Sequence, residues 1–271
     1  MNTPKQIAEN YNGIAQTKTT LNWYKLLILG VLAGAFIALG GVVATIAGSG
    51  FEGVQANLIK GAVFPLGLML VVICGAELFT GNCLLVAPLM SKKIKPLGML
   101  KNWGLAYVGN FIGAVLIAVL VVYGHVYSEP AATASVITAA AKCNANFGYA
   151  LLKGILCNIL VCLAVWAAMA SKSAGGKIIA LYLPIFAFVA CGFEHSIANM
   201  FYITSGLMAS AEYGIAAAGL SFGNGLVFSL LASTLGNIIG GALIAVAYWA
   251  VYFRPEKVKV EETDPDPEQK N

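Results

Sequence analysis

Apolar residues in this chain gather in long blocks, and polar residues fall mostly between them. Six blocks are apolar enough, over about 18 residues or more, to be read as membrane spans. They run over about Leu26–Ala47, Gly61–Met90, Trp103–Gly124, Tyr149–Ala170, Ile178–Ile203 and Leu226–Phe253. Two of them are not plain spans. The second is 30 residues long and carries Pro65, Glu77, the turn-like Thr80-Gly81-Asn82 and Pro88, whereas about 20 residues suffice to cross. The fifth contains Cys191-Gly192-Phe193-Glu194-His195-Ser196-Ile197-Ala198-Asn199-Met200. Glutamate, histidine, serine and asparagine are expensive in hydrocarbon, so they predict a cavity or a protein partner at that depth.

Composition agrees with the pattern. The 271 residues are 59% hydrophobic and 10% charged, with a mean hydropathy of +0.81, against about a quarter charged in a soluble domain. The expected fold is an all-α membrane protein with helices two and five interrupted. Its channel-like domain covers 26–253. The segment 1–25 is expected to be cytoplasmic. Its polar stretch 1–22, with Lys5, Glu9 and Lys18, lacks the apolar core of a signal peptide. A short amphipathic helix at the membrane surface fits it better. The tail 254–271 is charged and carries Asp264-Pro265-Asp266-Pro267, a composition expected to stay disordered. The six cysteines form no Cys-x-x-Cys pair, so neither a disulfide framework nor a metal site is expected. Cys143 is read as alone in a loop.

Charge then sets the orientation. Thirteen Lys and Arg residues fall on the side of the two termini, and three (Lys60, Lys142 and Lys153) fall on the other. By the positive-inside rule both termini are cytoplasmic.

The chain also repeats. Gly109-Asn110-Phe111-Ile112-Gly113-Ala114-Val115-Leu116-Ile117-Ala118-Val119 matches Gly236-Asn237-Ile238-Ile239-Gly240-Gly241-Ala242-Leu243-Ile244-Ala245-Val246 at eight of eleven positions. Cys74, Gly75, Glu77 and Asn82 recur in register as Cys191, Gly192, Glu194 and Asn199. Repeats over about 26–124 and 149–253, of three spans each, enter the membrane from opposite faces. That is the inverted-repeat plan of channels and transporters. The glycine pairs read as helix packing through small residues.

Interrupted spans at matching places in two inverted repeats point to a binding site, with helix N-termini that favour an anion. Glu77 and Glu194 can be read as a proton relay or as carboxylates bonded to the broken backbone of the opposite repeat, and their symmetry favours the second. Asn82 and Asn199 join them as structural polar residues. His195 is different: its repeat mate is Leu78, so symmetry does not demand it. An imidazole at membrane depth reads as functional. Phe64, Leu68, Leu78, Phe188 and Phe193 fall near the breaks, where apolar side chains can form dewetted constrictions.

With these residues the chain resembles the formate/nitrite transporter family. Gly75-Ala76-Glu77-Leu78-Phe79-Thr80 and Gly192-Phe193-Glu194-His195-Ser196-Ile197-Ala198-Asn199-Met200 are similar to its two signature segments. Gly154-Ile155-Leu156-Cys157-Asn158-Ile159-Leu160-Val161-Cys162-Leu163-Ala164-Val165-Trp166 is similar to its fourth span. The resemblance implies an aquaporin-like homopentamer with one pore per protomer, passing small monovalent anions of weak acids; the expected location is the cell's inner (cytoplasmic) membrane. It implies roles for His195, Thr80, Asn158 and Lys142 in the substrate pore, and for Phe64, Leu68, Leu78 and Phe188 in its apolar slits. It implies no cofactor, no catalysis and no nucleic-acid partner; the partners are the anion, the lipid bilayer and other copies of the chain. Formate is the first substrate. Gly81-Asn82-Cys83-Leu84 departs from the serine/threonine-rich loop of the best-known formate channels, which leaves nitrite or hydrosulfide as alternatives. A membrane redox protein is a remoter one, because haem ligation needs axial ligands at membrane depth and one histidine stands there.

Overall fold

The computed structural model describes residues 1–253, and the expected disordered tail 254–271 lies outside the described residues. Among the described residues the chain is all-helical. Helix α1 covers Pro4–Thr20, α2 Trp23–Gly48, α3 Gly53–Val63 and α4 Leu66–Cys74. After a break come α5 (Phe79–Asn82), one turn of 3-10 helix and α6 (Val86–Met90), then α7 (Pro96–Tyr123). A similar order follows: α8 (Glu129–Cys143), α9 (Phe147–Ala170), α10 (Ala174–Ala190), a second break, α11 (Ser196–Glu212) and α12 (Leu230–Tyr248). Five helical stretches among the described residues have the length and composition to cross a membrane, and Phe79–Met90 and Ala174–Ala190 are shorter apolar helices. The chain is a multi-pass membrane protein.

Burial is arranged for such a setting. In α2 the buried positions are largely small, among them Gly30, Ala33, Gly34, Ala38, Gly40 and Gly41. Its exposed positions include Ile28, Leu32, Leu39, Val43 and Ile46. Small residues inside and large apolar ones outside suit a bundle whose surroundings are as apolar as its core. The glycine pairs do pack helices. A Cβ on Gly34 would overlap the backbone of Asn110, one on Gly113 that of Val31, and one on Gly240 that of Ile155. These contacts bring α7 against α2, and α12 against α9.

Three expectations need correction. The second span begins with α3 at Gly53, eight residues earlier than the apolar run suggested, because Asn57 and Lys60 sit inside a helix that borders a cavity. Lys142 and Cys143 are not in a loop. They end the 15-residue helix α8, whose buried side is Ala131, Ala132, Ser135, Val136, Ala139 and Ala140. Alanine-rich and short, that helix lacks the hydropathy of a span. Helix α1 also does more than lie on a surface. Thr3 and Gln6 form its capping box, and its stripe of Ile7, Ala8, Tyr11 and Ala15 is buried. Ile7 and Ala8 sit by Trp166, Tyr11 by Cys83 and Leu84, and Ala15 by Leu85 and Met99. Helix α1 closes one end of the bundle.

Candidate functional site

Both breaks start with a left-handed glycine, Gly75 at φ 78° and Gly192 at φ 66°, a conformation that costs other residues strain. One asparagine then clamps each break. Asn110 of α7 accepts from the Phe79 N–H at 3.0 Å and donates to the carbonyls of Gly30 (2.8 Å) and Glu77 (3.0 Å). Asn237 of α12 accepts from the Ser196 N–H at 2.8 Å and donates to Gly154 (2.8 Å) and Glu194 (2.9 Å). Without these asparagines the Phe79 and Ser196 N–H groups and the Glu77 and Glu194 carbonyls, freed by the breaks, would lose these partners, each at about 1–3 kcal/mol if left unpaired in the core. The two asparagines directly follow the first glycines of the repeated segments, so those segments do more than pack.

The glutamates are held alike, by side chains and not by the opposite repeat's backbone. Glu77 takes Lys18 Nζ at 2.7 Å and Asn82 Nδ2 at 2.8 Å, with Asn102 Nδ2 at 3.3 Å. Glu194 takes Lys142 Nζ at 2.7 Å and Asn199 Nδ2 at 2.7 Å. The two glutamates thus share one arrangement, built from side-chain partners in place of the backbone bonding expected. The backbone role on the opposite half falls to Asn158, which donates to the Thr80 carbonyl at 3.1 Å and to that of Asn237 at 2.6 Å.

Two cavities end at these pairs. One, of about 390 Å³, is lined by Lys142, Glu194, Asn199, Phe64, Phe188, Phe193 and His195. The other, of about 280 Å³, is lined by Tyr11, Lys18, Glu77, Asn82, Leu68 and Leu78. They lie toward opposite ends of the molecule. Helix α2 starts beside α1 and ends at Gly48, which touches the Lys60 side chain of the first cavity; at 1.5 Å per residue it is about 39 Å long. Tyr11, on α1 and outside the spans, is pushed well above its ordinary pKa by burial, so it offers the second cavity a neutral hydroxyl.

Between the cavities stands one polar pair. His195 Nε2 and Thr80 Oγ1 are 3.0 Å apart, both buried. His195 also caps α11, its Nδ1 accepting from the Ala198 N–H at 3.1 Å. An Nδ1 that accepts leaves Nε2 as the protonated nitrogen of a neutral ring, so Nε2–H donates to Thr80. Phe188 stacks on the imidazole, 5.8 Å between centroids, and meets Phe64 edge-on at 5.7 Å. These two rings stand on the Lys142 side, and Leu68 and Leu78 on the Lys18 side. His195, Thr80, Asn158, Phe64, Phe188, Leu68 and Leu78 therefore gather around one axis. Lys142, Glu194 and Asn199 lie at one end of it, and Glu77 and Asn82 at the other. The sequence reading missed Lys18, Asn110 and Asn237 as parts of this arrangement. Among the described residues no three His, Cys, Asp or Glu side chains group as a metal set.

The model of the formate/nitrite transporter family matches residues 5–250. The chain belongs to the formate/nitrite transporter family. It is a family of transporters and channels, not of enzymes. This member is 38% identical to a probable formate transporter of Methanothermobacter thermautotrophicus, over 93% of this chain and 97% of that one. It is 37% identical to the formate channel FocA of Escherichia coli, over 88% and 90%. Among solved structures it resembles an FNT family ion channel, with a TM-score of 0.81 at 29% identity over 93% of this chain and 98% of the other. It also resembles a pentameric formate channel with formate bound, with a TM-score of 0.75 at 32% identity over 86% and 98%.

Proposed function

We propose that this family member is a homopentameric channel for small monovalent anions of weak acids, with formate first among them. Each protomer would hold one pore, built from six spans in two inverted three-helix repeats. In this topology both termini face the cytoplasm across the inner membrane. The observation that carries the reading is the Thr80–His195 hydrogen bond. It lies between two lysine-bearing cavities and is flanked by Phe64 and Phe188 on one side and Leu68 and Leu78 on the other. The relatives named for formate favour that substrate, and the pentameric neighbour favours the assembly. The altered loop Gly81-Asn82-Cys83-Leu84 keeps nitrite and hydrosulfide as further substrates.

The mechanism follows from the energetics of the slit. Moving a bare anion through apolar side chains costs many kcal/mol, and the neutral acid far less. The anion gathers at Lys142, sheds water at the Phe64–Phe188 slit and meets the Thr80 hydroxyl. That hydroxyl accepts from His195 Nε2–H, so its own hydrogen is free to point at the anion. Transfer needs the imidazolium. His195 first takes a proton at Nδ1, releasing the Ala198 N–H. It then gives its Nε2 proton to Thr80 as the Thr80 hydroxyl gives its own to the anion. The neutral acid crosses and ionises in the far cavity, and the ring, left neutral, takes up its next proton from cavity water. An imidazole, whose two ring nitrogens can each hold a proton, suits such an exchange.

The test is flux in proteoliposomes with formate, nitrite, hydrosulfide and chloride compared side by side. The three weak acids should pass and compete with labelled formate. Chloride has no neutral acid near neutral pH and should compete poorly. Competition by chloride as strong as by nitrite would replace this mechanism with a plain anion pore. In the same assay His195→Phe should leave a folded oligomer and remove most pH-dependent uptake.

A further inference from the structure

Each proposed pore mouth contains a second lysine that the mechanism above does not use. Lys60 stands seventeen residues before Glu77, and Lys177 stands seventeen before Glu194. The same register relates the two breaks, so these lysines occupy equivalent positions in the two halves. Lys60 lines the cavity of Lys142 and Glu194, and Lys177 lines that of Lys18 and Glu77. Both are half-buried. Among the described residues neither ammonium makes a hydrogen bond or ion pair, whereas Lys18 and Lys142 are each bound to a carboxylate at 2.7 Å.

Charge then separates the two kinds of lysine. A lysine in contact with a glutamate acts on an ion at contact range but adds little net charge farther out. The longer-range cationic field in each mouth comes from the lysines without a partner. On the Lys142 side these are Lys60 and Lys153, and on the Lys18 side Lys177. Lys60 also lines an adjoining open hollow of about 750 Å³, whose carboxylates Glu52 and Glu129 are exposed at its rim. It therefore stands at the doorway between the hollow and the cavity. Gly48 makes room for it, because a Cβ there would run into the Lys60 side chain.

A bias toward cytoplasmic lysine accounts for Lys177 but not for Lys60. Of sixteen basic residues only three fall on the Lys60 side, and all three line this one cavity.

We infer that Lys60 and Lys177 are a repeat-related pair of entry residues, one for each mouth. Each docks a small carboxylate or oxyanion before it displaces part of the inner lysine–glutamate pair. The inference rests on the anion-channel reading. A unit charge about 7 Å from the anion in water changes its local concentration roughly threefold, and salt screens it from a range of about 30 Å at 0.01 M to about 3 Å at 1 M.

The test uses the full chain in proteoliposomes, measuring initial uptake of sub-saturating labelled formate at about 0.01 M and about 1 M ionic strength. The variants are Lys60→Gln with Lys177→Gln, together so that orientation in the vesicle does not matter, and Lys60→Arg with Lys177→Arg. Uptake by the glutamine variant should fall roughly threefold at low salt and rejoin wild type at high salt, while the arginine variant keeps the wild-type rate. Equal uptake at low salt, or a loss of the same size at both salts, would overturn the pair's role and leave the channel reading standing. A wild-type protein that carries no formate, nitrite or hydrosulfide would overturn both.

Discussion

Replacing Asn237 by alanine tests whether one side chain holds the second break. Its three hydrogen bonds, at 2.8, 2.8 and 2.9 Å, join α9, the break and α11. Alanine leaves the Ser196 N–H and the carbonyls of Gly154 and Glu194 without that partner, and each buried unpaired group costs about 1–3 kcal/mol. The Glu194 carbonyl borders the cavity and can recover a water, so the total comes to about 4 kcal/mol. For a chain of this size that converts to a loss of roughly 10 °C in Tm. Thermal unfolding of the purified oligomer in detergent measures it. Asn237→Asp should not rescue, since a carboxylate keeps the acceptor but loses both donors. Asn110→Ala should behave alike at the first break, where the same three kinds of bond recur. A Tm within about 3 °C of wild type for Asn237→Ala, with unchanged formate flux, would refute the clamp.

Lys142→Glu should abolish uptake at low and high salt alike. The Lys142 and Glu194 side chains are 14% and 12% exposed, so screening reaches them poorly, and the change sets two carboxylates together at a cost of about 3 kcal/mol. Flux recovering in high salt would show Lys142 acting as a solvated charge and not as a buried partner of Glu194. Topology is checked by labelling single cysteines with an impermeant reagent, on a background without the native six. Exposed position 129 should react from outside and exposed position 93 should not, and the reverse pattern would refute cytoplasmic termini.

The sequence carried much of this fold because membrane spans announce themselves by composition. The breaks were legible for the same reason: Glu77, Glu194 and His195 have no place in hydrocarbon unless something faces them. Helix α8 was not legible, because Ala131, Ala132, Ala139 and Ala140 bury a face without raising hydropathy above that of a loop. Lys18 was passed over as one charge in a polar segment, although it lies as far before Gly30 as Lys142 lies before Gly154, the two carbonyls bonded by the clamping asparagines. That match crosses a shift in register: this part of the repeat is offset by 124 residues and the breaks by 117. A single-offset comparison cannot find it. Asn110 and Asn237 stood inside the strongest match in the chain, but the glycines beside them gave a sufficient reason for it.

The register also explains where symmetry has to fail. Glu77 with Glu194, Asn82 with Asn199, Asn110 with Asn237 and Lys18 with Lys142 repeat because both halves must close a broken helix in the same way. The proton exchange proposed for this channel needs one site, and two equivalent histidines would act as rival bases. Leu78 holds the place that His195 holds in the other half, and Ile197 the place of Thr80. The polar pair at 3.0 Å thus takes one residue from each half, and the mates of the two, Leu78 and Ile197, are apolar and buried. Asn158 breaks symmetry too, for its mate is Gly34, whose missing side chain lets α7 approach α2. The same position thus serves packing in one half and, in the other, bonds the Thr80 carbonyl and fixes the hydroxyl that faces His195. Asn158→Ala should therefore lower flux more than Tm, the opposite of Asn237→Ala.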